Sequence, residues 1–405
     1  VELFCGIDWG ETHHEVAVVD ETGRRVARGR VTDDVAGFRA LTALLADVTG
    51  GESATGVDVA LETDRGLLVA ALLATGHRVF AINPMAVDRY RDRYSSSGAK
   101  SDPGDAMVLA NLLRSDRHAH RPIPADSDLV TAIGVLARAH QDATWRRRRE
   151  ANRLRNILRE YFPAALAAFG DLTTRTAAVV LAAAPTPAAA AKLTRTRLAA
   201  LLRQAGRGTL PAEVDRLRAT FRAEQLRQPP AVEAAMGHAA VAIVRSIAAS
   251  SQALRELETA LAERFAAHPD APILATLPGL GPILGAQMLG ETGDDPHRFA
   301  GAASRRAYCG TSPVTRASGK SRAVLRRHGN RYLANTCRSW AFSALTTSPG
   351  ARAHYDRRRA AGDRHEAALR NLANKLVGQL DHCLRHHLPW DESVAWPAAP
   401  EQRAA

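Results

Sequence analysis

The first 125 residues switch repeatedly between short apolar runs and helical spacing. LFCGIDWG (3–10) predicts a strand, HEVAVVDETG (14–23) a second strand closed by a turn at Glu21-Thr22-Gly23, and RRVARGRVTD (24–33) a third. The chain therefore opens as an antiparallel meander. Val35, Phe38, Leu41, Leu44, Leu45 and Val48 recur at helical spacing and predict a helix over 35–49. GVDVALETD predicts a strand, residues 66–75 a helix, and HRVFAINP a strand ended by Pro84. A helix carrying Val87 and Tyr90 follows, then the loop SSSGAKSDPGD, then the helix AMVLANLLR.

Beyond residue 125 the period becomes helical. Leu129, Ile133, Leu136, Leu154, Ile157, Leu158 and Tyr161 flank a basic block, Arg146, Arg147, Arg148 and Arg149, and predict one long helix with a charged face. That block reads equally as a solvated face or as a nucleic-acid contact. Residues 165–235, rich in Ala, Thr and Arg and carrying Pro185, Pro187, Pro229 and Pro230, predict small helices inserted between longer ones. Ile243, Ile247, Leu254, Leu257, Leu261 and Phe265 predict a second long helix over 240–267. Two long helices around an insert suggest an antiparallel hairpin or an oligomerising coiled coil.

The expected class is α/β plus α. Three strands, a helix, then alternating strands and helices is the order of an RNase H-like (RuvC-like) domain over 1–125. A helical, coiled-coil region with its insert is expected over 126–268, a mainly helical C-terminal domain over 269–390, and a loose tail over 391–405.

Charge narrows the partners. Lys+Arg is 54 against 42 Asp+Glu, a net charge of +12 in 405 residues, which favours a polyanion, nucleic acid before membrane. With 46% hydrophobic residues the chain can bury a core. No run approaches the ~18 apolar residues of a membrane span. VELFCGIDWG reads as a strand and not as a secretory leader. Cys5, Cys309, Cys337 and Cys383 form no CxxC pair and fit reduced core residues of a cytoplasmic protein. His382, Cys383, His386 and His387 lie close together near the end, a spacing commoner on a helix surface than at a metal.

Four acids stand at element ends. GIDWG puts Asp8 in the first strand, ALETDRG puts Glu62 at the end of a later strand, and KSDPGDA puts Asp102 and Asp105 on one face of a helix start. Converging carboxylates are what hard divalent cations need, Mg2+ or Mn2+, and two such ions can orient both oxygens of an in-line phosphoryl displacement. Each acid also has a plain reading. Asp102-Pro103 is a good helix cap, Glu62 a strand-end surface residue, and GIDWG resembles the first phosphate loop of actin-like kinases and ATPases.

LPGLGPILGAQMLGETG (277–293) reads as a helix-hairpin-helix, whose Gly279-Leu280-Gly281 turn can offer backbone N–H groups to a phosphate. After it, Ser318-Gly319 lies in a polar loop among Arg316, Lys320, Arg322, Arg326 and Arg327. Nearby Arg could stabilise charge on an attacked phosphate, but the residue types alone do not separate Ser318 from Ser312 or Ser321.

Together the two halves resemble the DEDD-type transposases of the insertion sequence 110 family, from GIDWG to about Leu384. The match rests on Asp8, Glu62, Asp102 and Asp105, the Pro-Gly-x-Gly-Pro hairpin, Gly310 to Pro313, and the Ser-Gly followed by basic residues and Gly329-Asn330-x-x-Leu333. The resemblance implies a metal-binding DEDD site in a RuvC-like domain and a nucleophilic Ser318 that becomes joined to DNA. It also implies donor and target DNA, a structured guide (bridge) RNA, and a homo-oligomer, a dimer of dimers. A junction-type endonuclease using water at the same acids remains an alternative, as do an actin-like ATPase and a non-catalytic nucleic-acid scaffold.

Overall fold

The computed structural model describes residues 2–51, 57–92, 101–208, 211–318, 321–325 and 329–397, with backbone alone at 315, 316 and 321–325. The chain divides into two compact units, Val1–Ala125 and Asp126–Ala405.

The first unit runs β1 (Leu3–Trp9), β2 (His13–Asp20), β3 (Arg25–Thr32), α1 (Val35–Val48), β4 (Asp58–Leu61), α2 (Leu67–Ala74), β5 (Val79–Ala81), α3 (Pro84–Arg91) and α4 (Asp102–Asp116). One sheet takes the order β3-β2-β1-β4-β5. β1 to β3 are antiparallel; β1, β4 and β5 are parallel. Period-two alternation sorts the faces. Cys5, Ile7, Val16, Val18, Val59 and Leu61 pack under Leu41 and Leu45 of α1 and Leu68 and Leu72 of α2. Phe4, Val19, Ala60 and Phe80 pack under Val87 and Tyr90 of α3 and Leu109 and Leu113 of α4.

Two details differ from the sequence reading. The loop expected through Asp105 ends earlier, because α4 starts at Asp102; residues 93–100 lie outside the described residues. Its cap is Ser101, whose hydroxyl accepts from the Gly104 N–H. Asp102 is therefore the first helical residue, with its side chain released from capping.

Among the described residues the second unit is helical apart from one hairpin. α5 (Asp128–Tyr161) is followed by α6 (Pro163–Ala168), α7 (Arg175–Ala183), α8 (Pro187–Ala191), α9 (Arg195–Gln204), α10 (Pro211–Arg222) and α11 (Pro230–Ala266). Then come α12 (Ala271–Leu274), α13 (Pro282–Thr292), α14 (Ala302–Tyr308), β6 (Val314–Ser318), β7 (Ser321–Leu325), α15 (Arg331–Thr347), α16 (Pro349–Ala360), α17 (His365–His386) and α18 (Glu392–Ala395). α5 and α11 are antiparallel spines of two cores. Val130, Ile133 and Ala137 join Leu261 and Phe265 in one, around Trp340. Leu154 and Leu158 join Ala240, Ile243 and Val244 in the other, with the small helices α6 to α10. Thr174, Thr186 and Thr194 cap three of those helices through their hydroxyls, which explains the recurring Thr.

α11 begins at Pro230, ten residues before the expected start at 240, and the Pro-Pro pair opens the helix instead of separating elements. By length and mean hydropathy it could span a bilayer, although His238, Arg245, Ser246, Ser250 and Ser251 break its apolar run, and its Ile243, Ile247, Leu254 and Leu261 are buried. The tail is not loose over 391–397. Glu392 accepts from the Ser348 hydroxyl and the Gly350 N–H, and Trp396 packs on the Trp340 core. Residues 398–405 lie outside the described residues.

Candidate functional site

The acids are gathered by strand register and by one close helix–strand approach. β1 and β4 pair Phe4 with Asp58, Cys5 with Val59 and Gly6 with Ala60. Continued two further steps, past the end of β4 at Leu61, that register would bring Asp8 and Glu62 to neighbouring positions on the face that carries Phe4, Gly6 and Ala60. α4 crosses this face. A Cβ on Gly6 would overlap the Ala106 carbonyl and the Ala110 N–H and lie 2.9 Å from Leu109 Cβ. The other end of α4 meets the β2–β3 turn, where a Cβ on Gly23 would stand 3.1 Å from Asn111 Oδ1. β1 and α4 are thus antiparallel, and the Asp102 end of the helix lies at the Asp8 end of the strand.

The four carboxylates differ in surroundings. Asp102 is exposed, Asp8 and Glu62 are half-buried, and Asp105 is only 3% exposed. Arg91 of α3 supplies the counter-charge to Asp105, with Nε at 3.0 Å and Nη2 at 2.6 Å from the same Oδ1, and also binds Asp88. Among the described residues, no three Asp, Glu, His or Cys side chains are drawn together around a metal position. Arg91 neutralises the most buried of the four acids, Asp105. The donor set still suits a hard divalent cation, since every candidate ligand is a carboxylate oxygen, from one end of the sheet or from the first turn of α4 packed on it.

Glu15 is a fifth acid that the sequence reading missed. Register pairs Asp8 with Glu15 and Glu15 with Arg30, so Glu62, Asp8, Glu15 and Arg30 form one row across the sheet. Alternation in HEVAVVD was the available signal: Glu15 falls on the face of Val19 and Ala17, opposite Val16 and Val18.

In the second unit, Ser318 is the exposed last residue of β6 and pairs with Ser321 of β7, so it stands on a hairpin arm and not in an open loop. The backbone of Arg316 faces Ala323 and that of Arg322 faces Ala317; Lys320, Arg326 and Arg327 lie outside the described residues. The block Arg146–Arg149 winds around α5, because consecutive residues turn ~100° each. Arg146, Arg148 and Arg149 are exposed, while Arg147 is half-buried on the side of Asp171. Asp171 is held below its usual range, first by the Thr173 N–H and hydroxyl and then by Arg147 and Arg155.

The glycine turn is only partly available to a ligand. Gly279 (φ 72°) is pressed on α15, where a Cβ would stand 2.6 Å from the Ala344 N–H nitrogen, and the Trp340 indole N–H donates to the Pro278 carbonyl at 2.9 Å. Packing and backbone sign explain that glycine. Gly281 is exposed, with open space where a Cβ would be, and precedes α13. The first helix of the expected helix-hairpin-helix is the single turn α12. The His382 and His386 rings lie tilted at 50° with centroids 4.6 Å apart, Cys383 is buried, and among the described residues no three ligating side chains are drawn together there. All four cysteines are free and buried. Burial pushes the Cys5 thiol up to about 12.

A buried polar network at the start of α15 also escaped the sequence reading. Asn330 caps α15 by accepting from the Tyr332 and Leu333 N–H groups, and its Nδ2 donates to Glu291 of α13. Glu291 is buried and takes a bidentate pair from Arg138 of α5 at 2.7 and 3.0 Å. Gly-Asn-x-x-Leu is therefore a helix start: Asn330 ties the cap to two other helices, and Leu333 enters the core. Beside it Tyr332 stacks on Trp145 at 5.2 Å, with the Arg331 guanidinium 5.1 Å from the Trp145 ring.

Family models match both ends of the chain. A DEDD-type transposase model associated with IS110 matches residues 5–163, and the transposase model of the IS116/IS110/IS902 family matches residues 271–356. The chain is 53% identical to the "Mini-circle putative transposase for IS117" of Streptomyces coelicolor, covering 100% of this chain and 98% of that protein. It is 30% identical to the "Insertion element IS900 uncharacterized 42 kDa protein" of Mycobacterium paratuberculosis, over 98% and 99% of the two chains. It is also 30% identical to the "Insertion element IS116 uncharacterized 44.8 kDa protein" of Streptomyces clavuligerus, over 100% and 98%. The chain belongs to the IS110 family of insertion-element transposases.

Proposed function

We propose that the protein cleaves and exchanges DNA strands in the cytoplasm as an RNA-guided recombinase, using an RNase H-like acidic site and a serine nucleophile. What supports the reading is that the β1–β4 register and the close Gly6–α4 approach direct the Asp8 end of β1, the Glu62 end of β4 and the Asp102 end of α4 to one end of the sheet. Asp8, Glu62, Asp102 and Asp105 would hold Mg2+ or Mn2+. When bound, the ion would neutralise and orient the scissile phosphate.

The protein's own groups supply the rest. The Ser318 Oγ attacks phosphorus. The new bond is Oγ–P and the broken bond is P–O3′; Oγ gives up its proton as it attacks and the departing 3′ oxygen takes one up, leaving a phosphoserine and a free 3′-hydroxyl. Ser318 stands exposed on a hairpin arm, accessible to a strand. Arg316, Lys320, Arg322, Arg326 and Arg327 provide positive charge in the same segment for the charge that develops on phosphate. Arg146, Arg148, Arg149 and Gly281, which are exposed, are the further backbone contacts, while Gly279 is taken up by packing on α15 and Arg147 lies on the side of Asp171. A structured guide RNA pairing with donor and target DNA supplies sequence, while the protein holds backbones. A homo-oligomer, a dimer of dimers, brings acidic sites and serines to one junction.

The test is a search for a covalent adduct. The protein is co-expressed with its flanking non-coding DNA and a junction substrate, denatured in SDS, and probed for DNA-linked chain. Wild type gives an adduct; Ser318→Ala and Asp8→Asn do not. Cleavage that persists in Ser318→Ala without any adduct would replace this reading with a junction endonuclease using water.

A further inference from the structure

On the α4 face of the first unit a groove of about 250 Å³ runs beside the acids, lined by Glu15, Ala17, Arg25, Arg28, Arg30 and Met107, with Pro103 also on its wall. Its floor follows from side-chain size. Ala17 and Gly6 are paired neighbours on this face, so α4 sits low over β1 and leaves the surface over β2 open. Its outer wall follows from alternation. Ala27, Gly29 and Val31 of β3 face α1, with Gly29 against Leu44, while Arg28 and Arg30 face the α4 side.

The row Asp8–Glu15–Arg30 sets the scale. Two strand spacings separate Asp8 from Arg30, roughly 10 Å across the sheet. A phosphate held at Asp8 would have its next neighbours along the strand within reach of these arginines. Arg30 is 64% exposed and reaches the Glu15 carboxylate at 3.3 Å. Among the described residues, no ion pair neutralises Arg25 or Arg28. Glu15 would hold Arg30 against the groove floor, while the exposed guanidinium offers its remaining donors to phosphate oxygens.

We propose that this groove is a binding track for the DNA backbone flanking the cleaved phosphate, with Arg28 and Arg30 as its phosphate contacts. The cleaved strand then crosses the sheet over β2 and the β3 edge. Charges on an edge strand also block unwanted pairing. That role is indifferent to which face the arginines take, whereas the track needs them on the face of Asp8. The inference rests on the proposed cleavage at the acids, and the test separates the two.

Binding of the full-length protein to a generic DNA duplex is measured by fluorescence anisotropy across a salt series. Each lost phosphate contact makes the slope of log K against log salt shallower by about 0.9, so Arg28→Ala with Arg30→Ala should flatten it by about 1.8. The paired Lys substitutions should keep most of the slope, and Arg39→Ala, on α1 across the sheet, should leave it unchanged. An unaltered slope in the folded Ala pair, an equal change in Arg39→Ala, or an effect seen with an RNA duplex and not with DNA would each overturn the track. Asp8→Asn is assayed alongside. If it still cleaves, the acidic-site reading fails whatever the slopes do. If it loses cleavage while the Ala pair keeps its slope, the track alone fails.

Discussion

Arg91 gives both of its Asp105 hydrogen bonds to one carboxylate oxygen, Oδ1, in a pair whose side chains are 16% and 4% exposed. Removing one partner of such a pair leaves a nearly buried charge without compensation, a loss of about 3–5 kcal/mol. Arg91→Ala should therefore be strongly destabilised in EDTA. Saturating Mg2+ should restore part of that loss, because a cation can take over neutralisation of Asp105. Urea melts of both proteins with and without Mg2+ check this. Equal stability of the variant in both media would separate Asp105 from any metal position.

Gly6 is required by contact and not by backbone sign. A methyl group there would run into the Ala106 carbonyl and the Ala110 N–H, both backbone atoms that cannot rotate aside. Gly6→Ala should cost about 1–3 kcal/mol or more as α4 is pushed off β1. It should also abolish cleavage, because the same shift carries Asp102 and Asp105 away from Asp8. Thermal melting and the cleavage assay read the two effects. A melting point within error of wild type would contradict the close approach.

Much of this arrangement was legible in the amino-acid order. Period-two alternation assigns Asp8 to a face, and the strand order makes Glu62 its neighbour. Other parts depend on choices that local pattern does not make. Ser101 and Asp102 are both good caps, and only the backbone path decides that Ser101 takes the role. The Arg91–Asp105 pair joins two helices across residues 93–100, so nothing in either helix announces it. The start of α11 hid in Ala-rich sequence whose weak apolar period resembled the insert before it. Glu15 was readable by the same alternation that places Asp8, yet it belongs to no motif.

Asn330 and Glu291 make an unusual prediction for a helix cap. Asp is ordinarily as good an N-cap as Asn. Here the Asn330 amide donates to the buried Glu291 carboxylate, which also holds Arg138. Asn330→Asp would keep the cap acceptor but set two carboxylates against each other. It should be more destabilising at neutral pH than Asn330→Ala, whose cap loss is typically about 1 kcal/mol. Lowering the pH should narrow the gap as one carboxyl takes a proton. Chemical denaturation of the two variants at two pH values tests the order. Asp at least as stable as Ala at neutral pH would count against the Asn330–Glu291 link.

Asp20 provides the clearest pH signature. The Thr22 hydroxyl, then the Arg24 N–H and side chain and the Thr22 N–H, hold its carboxyl down to about 2 against a usual 3.8. A folded-state value below the unfolded one means the ionised form binds better in the fold. That stabilisation is present above the unfolded value and is lost as pH falls through about 2. Asp20→Asn cannot ionise and lacks the charge-assisted part. Wild type should melt above Asp20→Asn at neutral pH, with the difference shrinking as the pH falls from about 4 toward 2. Melting curves at several acid pH values, within the range where both proteins still fold, give the comparison. A difference independent of pH would mean that the β2–β3 turn draws its stability from hydrogen bonds that Asn reproduces, and not from the Asp20 charge.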